Sequence, residues 1–470
     1  MTALNLHPDR LFPADPATRD IARRLHAEVK DLPIVSPHGH TDPAWFAQDL
    51  PFANPTALLI TPDHYLLRML YSQGVPLEDL GVTRTDGGPV EQDPRRIWRR
   101  FAEHYPLFRG TPSRLWLDWV LAEVFGLTER LEPNTADRSY DVIDEALHHP
   151  SFRPRALFDR FGIEVLATTE SPLDTLDYHA QIRASGWGGR VVTTFRPDPV
   201  LDPETPNFQG QLSRLSQMTG EDAFSYPGYL RALEQRRAAF REAGATATDH
   251  GHPTAFTADL LPSEAEALFL KAAAGKASAW DAELFRGHML VEMARMSVED
   301  GMVMQLHPGS HRNHNAEVFA QFGRDKGGDI PTATEYVRAL KPLLDRFGND
   351  KRFSLIVFTL DEAAYARELA PLAGHYPALK LGPSWWFHDS PEGMRRLREQ
   401  ATETAGFYNT VGFNDDTRAF LSIPARHDVA RRMDCGFLAR LVAEHRLEED
   451  EAHQVARALT YDLVKAAYKL

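Results

Sequence analysis

Two histidines separated by one residue, His38 and His40, follow the short apolar run 32–35. In an extended strand, residues two apart project from the same face, so the two imidazoles can converge on one point. Converging imidazoles are typical of a site for a divalent transition metal, whereas the alternative is a structural pair in which each ring is hydrogen-bonded. The rest of the chain has to distinguish these two interpretations.

Further candidate ligands follow other apolar runs much later in the chain. His307 and the pair Asp415 and Asp416 could complete a mixed nitrogen and oxygen site for one divalent ion such as zinc or manganese. The alternatives are a hydrogen-bonded histidine at a strand end and a turn or helix N-cap formed by the aspartates. One aspartate could cap a helix while the other binds the ion.

Three arginines also follow predicted strand ends, namely Arg196, Arg312 and Arg418. A guanidinium can bind a carboxylate through two parallel hydrogen bonds, although each of these residues alone could equally be a surface ion-pair partner. Together they favour an acidic small molecule over a neutral one as the substrate.

Aromatic residues offer further contacts for a polar ligand. Trp385 and Trp386 would ordinarily be core residues, but after a barrel strand an indole face can lie against a sugar ring. His64 and Tyr65 offer an imidazole and a phenol for proton transfer or hydroxyl recognition. The alternative for the segment that begins at Asp63 is a helix cap followed by a packed tyrosine.

Eight short runs rich in apolar and β-branched residues predict strands. They are residues 33–37, 164–168, 190–195, 245–249, 302–306, 353–358, 378–381 and 408–413. Helical patterns lie between them: residues 334–347 place apolar side chains at three- and four-residue spacing, and Ser263 with Glu266 has the spacing of a capping box. Alternating strands and helices favour parallel pairing with right-handed crossovers.

Eight such units predict an α/β fold of the (β/α)8 TIM-barrel type, with the active site at the carboxyl ends of the strands. A doubly wound open sheet is the alternative. About 120 residues separate the first two predicted strands, so we expect a large helical insertion over residues 45–160. Smaller helical insertions are expected over residues 198–244 and 255–300, within a single catalytic domain spanning residues 1–470.

Composition narrows the class of protein further. The formal net charge of −14 argues against a nucleic-acid partner, which requires clustered lysine and arginine. The single cysteine excludes an intramolecular disulfide and a cysteine-based zinc site. No run approaches the roughly 20 apolar residues of a membrane span, and residues 1–10 lack a signal-peptide pattern. We therefore expect a cytoplasmic enzyme with no membrane partner and no organic cofactor, in an oligomeric state that the sequence leaves open between monomer and homo-oligomer.

The combined motifs resemble the uronate isomerases, also called glucuronate isomerases, of the amidohydrolase superfamily. The resemblance runs along almost the whole chain, and its most specific blocks are the Trp-Trp-Phe segment and the Asp-x-Arg-x-Phe-Leu-Ser segment. The matching segments are residues 33–40, 63–65, 168–172, 176–180, 195–198, 249–250, 307, 312–315, 382–389 and 416–422.

The resemblance implies an aldose–ketose isomerase that interconverts D-glucuronate with D-fructuronate and D-galacturonate with D-tagaturonate. It also implies one divalent metal held by His38, His40 and Asp416, with His307 as a further ligand or a near neighbour. We choose Asp416 over Asp415 because it keeps the two-residue spacing to the following arginine. Hydrolytic relatives often hold two metals bridged by a carboxylated lysine, and this chain has no lysine after the fourth predicted strand.

Aldose–ketose isomerisation requires ring opening and proton transfer between C1 and C2, for which Asp416, Tyr65, Arg418 and His64 are the catalytic candidates. We expect Asp416 to exchange a proton with the sugar hydroxyl during ring opening. Tyr65, supported by Arg418, would face the C1–C2 edge and stabilise the enediolate, with His64 as the alternative proton shuttle.

Recognition of the substrate falls to a separate group of residues. The predicted contacts are Arg196, Arg312, Trp385, Trp386 and Thr169. Two competing functions remain open from the sequence. One is a metal-dependent hydrolase of an amide or ester, and the other is a barrel that binds a sugar acid without converting it.

Overall fold

A curled sheet of seven parallel strands forms the centre of the computed structural model, which describes residues 2–470. The order of hydrogen-bonded neighbours follows the order of the strands along the chain, as expected for right-handed crossovers. The seven strands are β1 (Ile34–Ser36), β2 (Ile163–Glu170), β3 (Arg190–Phe195), β4 (Ala247–His250), β5 (Val303–Leu306), β8 (Leu355–Val357) and β9 (Leu379–Leu381). Two further short strands, β6 (Ser310–His311) and β7 (Ile330–Pro331), form a separate antiparallel pair.

Apolar side chains from six of these strands meet inside the curled sheet. They form one buried cluster with Val411, which lies beyond β9 in the chain. The strand members of this cluster include Val35, Val165, Val192, Ala247, Val303 and Ile356. Parallel strands buried on both faces need such β-branched and small residues, because no face is left for polar side chains. The predicted alternation of parallel strands with helices is therefore confirmed.

The predicted eighth strand over residues 408–413 is wrong as a regular strand. The segment makes only one parallel bridge to the sheet, between Leu381 and Thr410. Gly406 precedes the segment and Gly412 lies within it, with positive φ angles of +67° and +78° that interrupt an extended ladder. The segment still occupies the eighth position, because Val411 reaches the barrel interior.

Helices α2 to α8 lie between β1 and β2, and α1 precedes β1. Their bounds are α1 (Pro16–Val29), α2 (Pro43–Gln48), α3 (Pro55–Leu59), α4 (His64–Ser72), α5 (Pro94–His104), α6 (Pro112–Trp119), α7 (Ala136–His148) and α8 (Pro154–Arg160). Helix α4 begins at His64 because the carboxylate of Asp63 accepts hydrogen bonds from the backbone N–H groups of Tyr65 and Leu66, at 2.8 and 3.3 Å. This cap fixes the start of α4 and therefore the positions of its first two residues, His64 and Tyr65.

The next six helices lie between β2 and β5. They are α9 (Asp177–Ala184), α10 (Asp198–Leu201), α11 (Phe208–Thr219), α12 (Tyr226–Glu242), α13 (Pro262–Ala273) and α14 (Ala279–Asp300). The predicted capping box of Ser263 and Glu266 is wrong. Helix α13 begins one residue before Ser263, and Glu264 accepts the hydrogen bond from the N–H of Leu261 at 3.0 Å.

Seven helices follow β5. They are α15 (Ala316–Phe322), α16 (Lys341–Phe347), α17 (Ala370–Ala373), α18 (Pro391–Ala405), α19 (Ile423–Ala443), α20 (Glu449–Arg457) and α21 (Leu463–Tyr468). The predicted helix over 334–347 is correct only in its second half. The N–H groups of Thr334 and Tyr336 donate to the carboxylates of Asp361 and Glu368, and these side-chain partners replace the bonds of a helical turn. No helix within residues 2–470 is long and apolar enough to cross a membrane.

Candidate active site

A cavity of about 760 Å³ opens at the carboxyl ends of the barrel strands. Residues from two sources line it, and we name the two sides after them. The strand-end corner consists of His38, His40, Asp249, His307 and Asp416, and the loop wall consists of His64, Tyr65, Arg312, Trp386, Asp389 and Arg426. All twelve residues predicted from the sequence as catalytic, substrate-binding or metal-binding, among them Thr169 and Arg418, line this cavity.

The strand-end corner brings together residues that are nearly 380 positions apart in sequence. The Oδ1 atom of Asp416 lies 3.1 Å from Nε2 of His40 and 3.5 Å from Nε2 of His38. Burial opposes ionisation of Asp416, but the neighbouring His38 and His40 hold the pKa of this carboxyl well below its usual range. Burial also lowers the pKa of His40, which favours the neutral imidazole. A carboxylate beside two imidazoles is a donor set for a divalent ion.

Asp415 and Asp416 point to different partners. Oδ2 of Asp415 lies 3.0 Å from Nε2 of His427, whereas Oδ1 of Asp416 contacts His40. Asp416 has a φ of +37°, a left-handed conformation that is uncommon for residues other than glycine. This local strain turns its carboxylate towards His40.

His307 is the fourth member of the corner that could bind a metal. Its ring stacks on that of His38 with centroids 4.9 Å apart, and its Nδ1 donates to Oδ1 of Asp249 at 2.6 Å. Its Nε2 is buried and has no hydrogen-bond partner. A carboxylate that orients one ring nitrogen and leaves the other free is the usual support for a metal-binding histidine.

The donor set fits one divalent ion. Candidate ligand atoms of His38, His307 and Asp416 all lie within 4.8 Å of one another. Burial lowers the pKa of His307, so its unpartnered nitrogen is available as a neutral ligand. His40 lies outside this group of three, but it contacts Asp416 directly.

Arg196 connects the corner to the next strand. Its Nη1 lies 3.0 Å from Oδ2 of Asp249, and its Nε donates to Oδ2 of Asp198 at 2.9 Å. Burial opposes ionisation of Asp249, but Arg196 and then His307 hold the pKa of this carboxyl well below its usual range. A side chain at Gly251 would collide with the guanidinium, so glycine is required for this close approach.

The loop wall contains a buried network around Asp389. Tyr65 donates its hydroxyl hydrogen bond to Oδ2 of Asp389 at 2.7 Å, and Nη1 of Arg426 donates to the same oxygen at 2.9 Å. The guanidinium of Arg426 also lies 3.6 Å from the ring centroid of Trp116. Burial raises the pKa of Tyr65 well above its usual value, so the phenol stays protonated.

The expected support of Tyr65 by Arg418 is wrong in this structure. Arg418 instead forms an ion pair with Asp325, with Nη2 and Oδ2 3.1 Å apart. Asp389, in the loop after β9, and Arg426, in α19, make the contacts with Tyr65 that were expected of Arg418.

Two aromatic residues that adjoin in sequence have different surroundings. Trp385 is buried and meets His307 edge-on at 4.7 Å. Trp386 faces His64 at 5.1 Å and the guanidinium of Arg312 at 5.5 Å. Burial lowers the pKa of His64 to about 3, so this imidazole is neutral at physiological pH.

The other predicted recognition residues are already hydrogen-bonded. Thr169 donates its hydroxyl hydrogen bond to the carbonyl of Gly39 at 2.9 Å, which holds the turn between His38 and His40. Arg312 donates through Nη1 to Asp329 at 2.8 Å, and its side chain keeps 37% of its surface exposed towards the cavity. Thr169 thus supports the corner, while Arg312 retains free donors.

Four functional candidates were missed or left without a role in the sequence analysis. They are Asp249, Asp325, Asp389 and Arg426. Asp249 and Asp389 lie in segments 249–250 and 382–389, which the sequence analysis already singled out. Their position near a strand end could have indicated a role in the site. Arg426 is one of many arginines in a helix, and its spacing carries no signal.

Comparison with known proteins identifies a family along the whole chain. A family model for glucuronate isomerase matches residues 16–468. A uronate isomerase of Rhizorhabdus wittichii is 71% identical over the full length of both chains, and one of Phenylobacterium zucineum is 69% identical over 99% of this chain and 97% of its own. The crystal structure of a glucuronate isomerase from Caulobacter crescentus matches with a TM-score of 0.98 at 63% identity, covering 99% of this chain and 97% of that one. The likeness to solved structures confirms the predicted barrel type.

Proposed function

The chain belongs to the glucuronate isomerase family, and on that premise we propose which of its residues carry out the isomerisation. It is an aldose–ketose isomerase, and neither a hydrolase nor a non-catalytic barrel finds support in the comparisons. We propose D-glucuronate and D-galacturonate as its substrates and D-fructuronate and D-tagaturonate as the products. We also propose a cytoplasmic location.

His38, His40 and Asp416 would hold one divalent ion, zinc in the first instance or manganese, with His307 as the further ligand. The buried, unpartnered Nε2 of His307 and the short distance between Asp416 and His40 support this assignment. When bound, the ion supplies positive charge that holds the oxygens of an anionic sugar acid.

Asp416 acts as the base for ring opening. Its carboxyl is ionised at neutral pH, since the adjacent histidines hold its pKa low. It can therefore accept the proton of a sugar hydroxyl that lies against the strand-end corner. Its strained backbone conformation keeps the carboxylate aimed into the cavity before the substrate arrives.

Tyr65 stabilises the enediolate that forms between C1 and C2. Its phenol is protonated, because burial raises its pKa, and it can donate a hydrogen bond to a developing oxyanion. Asp389 and Arg426 hold the hydroxyl beside the cavity, and during turnover the single phenolic O–H turns from Asp389 to the oxyanion. The neutral His64, next to Tyr65, can accept the proton that leaves C2 and return it to C1.

Arg312 and Arg196 recognise the substrate carboxylate, and Trp386 forms the wall against the sugar carbons. Arg312 has donors free beyond its bond to Asp329, whereas Arg196 already contacts two carboxylates. Arg312 therefore makes the stronger contribution to selecting an acidic sugar. Arg418 lines the same cavity, where it forms an ion pair with Asp325.

The observation that carries this proposal is the approach of Asp416 to His40 opposite the Tyr65–Asp389 pair, in one cavity. Incubating the zinc-loaded protein with D-glucuronate and measuring D-fructuronate through a coupled reductase tests it. We expect rapid product formation from D-glucuronate and negligible conversion of D-glucose. Equal conversion of the two sugars would contradict the assignment of Arg312 and Arg196.

A further inference from the structure

A second group of potential metal ligands lies next to the strand-end corner and has no role in the isomerisation described above. It consists of Asp198, His250 and His252, and candidate ligand atoms of the three lie within 4.8 Å of one another. His250 and His252 are 0% and 4% exposed, so both imidazoles are shielded from solvent. We propose that these three residues bind a second divalent transition-metal ion, separate from the ion of the strand-end corner. We refer to them as the second cluster.

The two histidines each leave a nitrogen atom unsatisfied. Nδ1 of His250 and Nε2 of His252 are buried and have no hydrogen-bond partner. The other nitrogen of His250 lies 3.1 Å from the hydroxyl of Thr248, which fixes the ring. A buried imidazole nitrogen without a partner costs free energy, and two of them in one cluster with a carboxylate indicate a common ligand.

Asp198 supplies the carboxylate oxygen. Its Oδ2 accepts hydrogen bonds from Nε of Arg196 at 2.9 Å and from the N–H of Gly251 at 3.0 Å. Its Oδ1 faces Nε2 of His252 at 3.9 Å. Ligand atoms around a tetrahedral zinc ion are separated by about 3.4 Å. A shift of roughly half an ångström would bring Oδ1 of Asp198 and Nε2 of His252 to that separation.

The charges around the second cluster favour a cation. Arg286, a cation that acts on His252, is neutralised by three carboxylates. Its partners are Asp202, Glu204 and Glu283, at 2.7 to 2.8 Å. Arg196 likewise divides its charge between Asp198 and Asp249. Two imidazoles and one carboxylate suit zinc, nickel or cobalt better than magnesium or calcium, which prefer oxygen ligands.

An ion in the second cluster would hold Asp198 in place and, through it, the guanidinium of Arg196. Asp198 and Gly251 line the cavity, whereas His250 and His252 lie behind that lining. The second cluster is therefore a positioning site for a substrate-facing arginine, with no contact to the reacting atoms.

Counting bound zinc in matched variants tests the proposal. Wild-type protein, His252→Gln, His40→Gln and the buried control His288→Gln are equilibrated with Zn²⁺, freed of unbound metal and measured by mass spectrometry. We expect two ions per chain in the wild type and in His288→Gln, and one in each of the other two variants. Asp198→Asn replaces His252→Gln should that variant fail to fold by circular dichroism.

A zinc content that His252→Gln leaves unchanged would overturn the proposal and indicate that the second cluster holds water only. This outcome is separate from the fate of the strand-end corner, which His40→Gln reports independently. Loading His40→Gln with Co²⁺ gives a second readout, because a tetrahedral cobalt site absorbs visible light. We expect that absorption in His40→Gln and its loss in the double variant with His252→Gln.

Discussion

The strand-end corner and the loop wall face each other across one cavity, but they are built in different ways. In the corner, His38, His307 and Asp416 come directly from barrel strands or the segments that follow them, and the backbone of the sheet sets their separation. In the loop wall, Tyr65 comes from the start of a helix, Asp389 from a loop and Arg426 from a second helix. A shared hydrogen-bond network sets the distances between these three side chains. The fold therefore positions the corner, whereas hydrogen bonds between side chains position the wall. A substitution in the corner should therefore displace fewer neighbouring side chains than a substitution in the wall.

The largest expected effect comes from the corner. Asp416→Asn removes the base and a ligand together, and we expect kcat for D-glucuronate to fall by about 10³-fold or more. Asp415→Asn is the matched comparison, because this neighbour bonds to His427 instead of the corner histidines. A larger loss of kcat in Asp415→Asn than in Asp416→Asn would reverse the assignment of the pair.

Tyr65→Phe tests the reactive group of the loop wall. Removal of the hydroxyl deprives the enediolate of its donor, so we expect kcat to fall by about 10²-fold while KM stays within a factor of about three. Tyr71→Phe, in the exposed part of the same helix, serves as the control for the substitution itself. Near-normal turnover by Tyr65→Phe would remove this residue from the mechanism.

Asp389→Asn should show how far the wall depends on its network. The substitution weakens a charge-assisted hydrogen bond to Tyr65 and leaves Arg426 with a neutral partner, so kcat should fall by about tenfold to thirtyfold. If Asp389 acts through Tyr65, the double variant with Tyr65→Phe should be no slower than Tyr65→Phe alone. Additive losses of kcat would indicate that the two residues act separately.

Arg312→Lys examines recognition of the substrate. Lysine keeps the charge but loses the paired donors, so KM for D-glucuronate should rise by about tenfold with little change in kcat. Steady-state kinetics on D-glucuronate and D-galacturonate measure this split. A fall in kcat with an unchanged KM would place Arg312 in the chemical step instead.

The smallest effect concerns stability and pH. Burial raises the pKa of Glu170, at the end of β2, to about 7, so the folded protein favours its protonated form. The folded state then binds more protons than the unfolded state between pH 4.5 and 7, and the free energy of unfolding should decrease as pH rises through 7. Between pH 6 and 8 the decrease from this group is about 1 kcal/mol.

Urea unfolding of Glu170→Gln at pH 6 and pH 8 measures this contribution. We expect the difference in unfolding free energy between the two pH values to shrink relative to the wild type. Glu164→Gln, in the same strand, is the control, because its carboxyl pairs with Lys465 and stays ionised throughout this range. An unchanged pH dependence in Glu170→Gln would contradict the assigned pKa.

The same contrast explains how much the sequence could predict. The corner residues were found because a polar residue after a β-branched run signals a strand end, and strand ends of a barrel converge. Asp389 and Arg426 could not be assigned to Tyr65, since the pairing of Tyr65 with Asp389 spans 324 positions and leaves no periodicity. The prediction of a regular eighth strand was wrong for a local reason. The positive φ angles of Gly406 and Gly412 leave no trace in the pattern of apolar residues.

The central claim is that the corner binds the ion on which turnover depends. The most direct test measures zinc content and D-fructuronate formation on the same samples of wild type, His40→Gln and His453→Gln. His453 is the control because its side chain, like that of His40, is 25% exposed. We predict that His40→Gln loses one zinc ion and nearly all turnover, while His453→Gln matches the wild type in both. Full turnover by His40→Gln, or its retention of the full zinc content, would contradict the account.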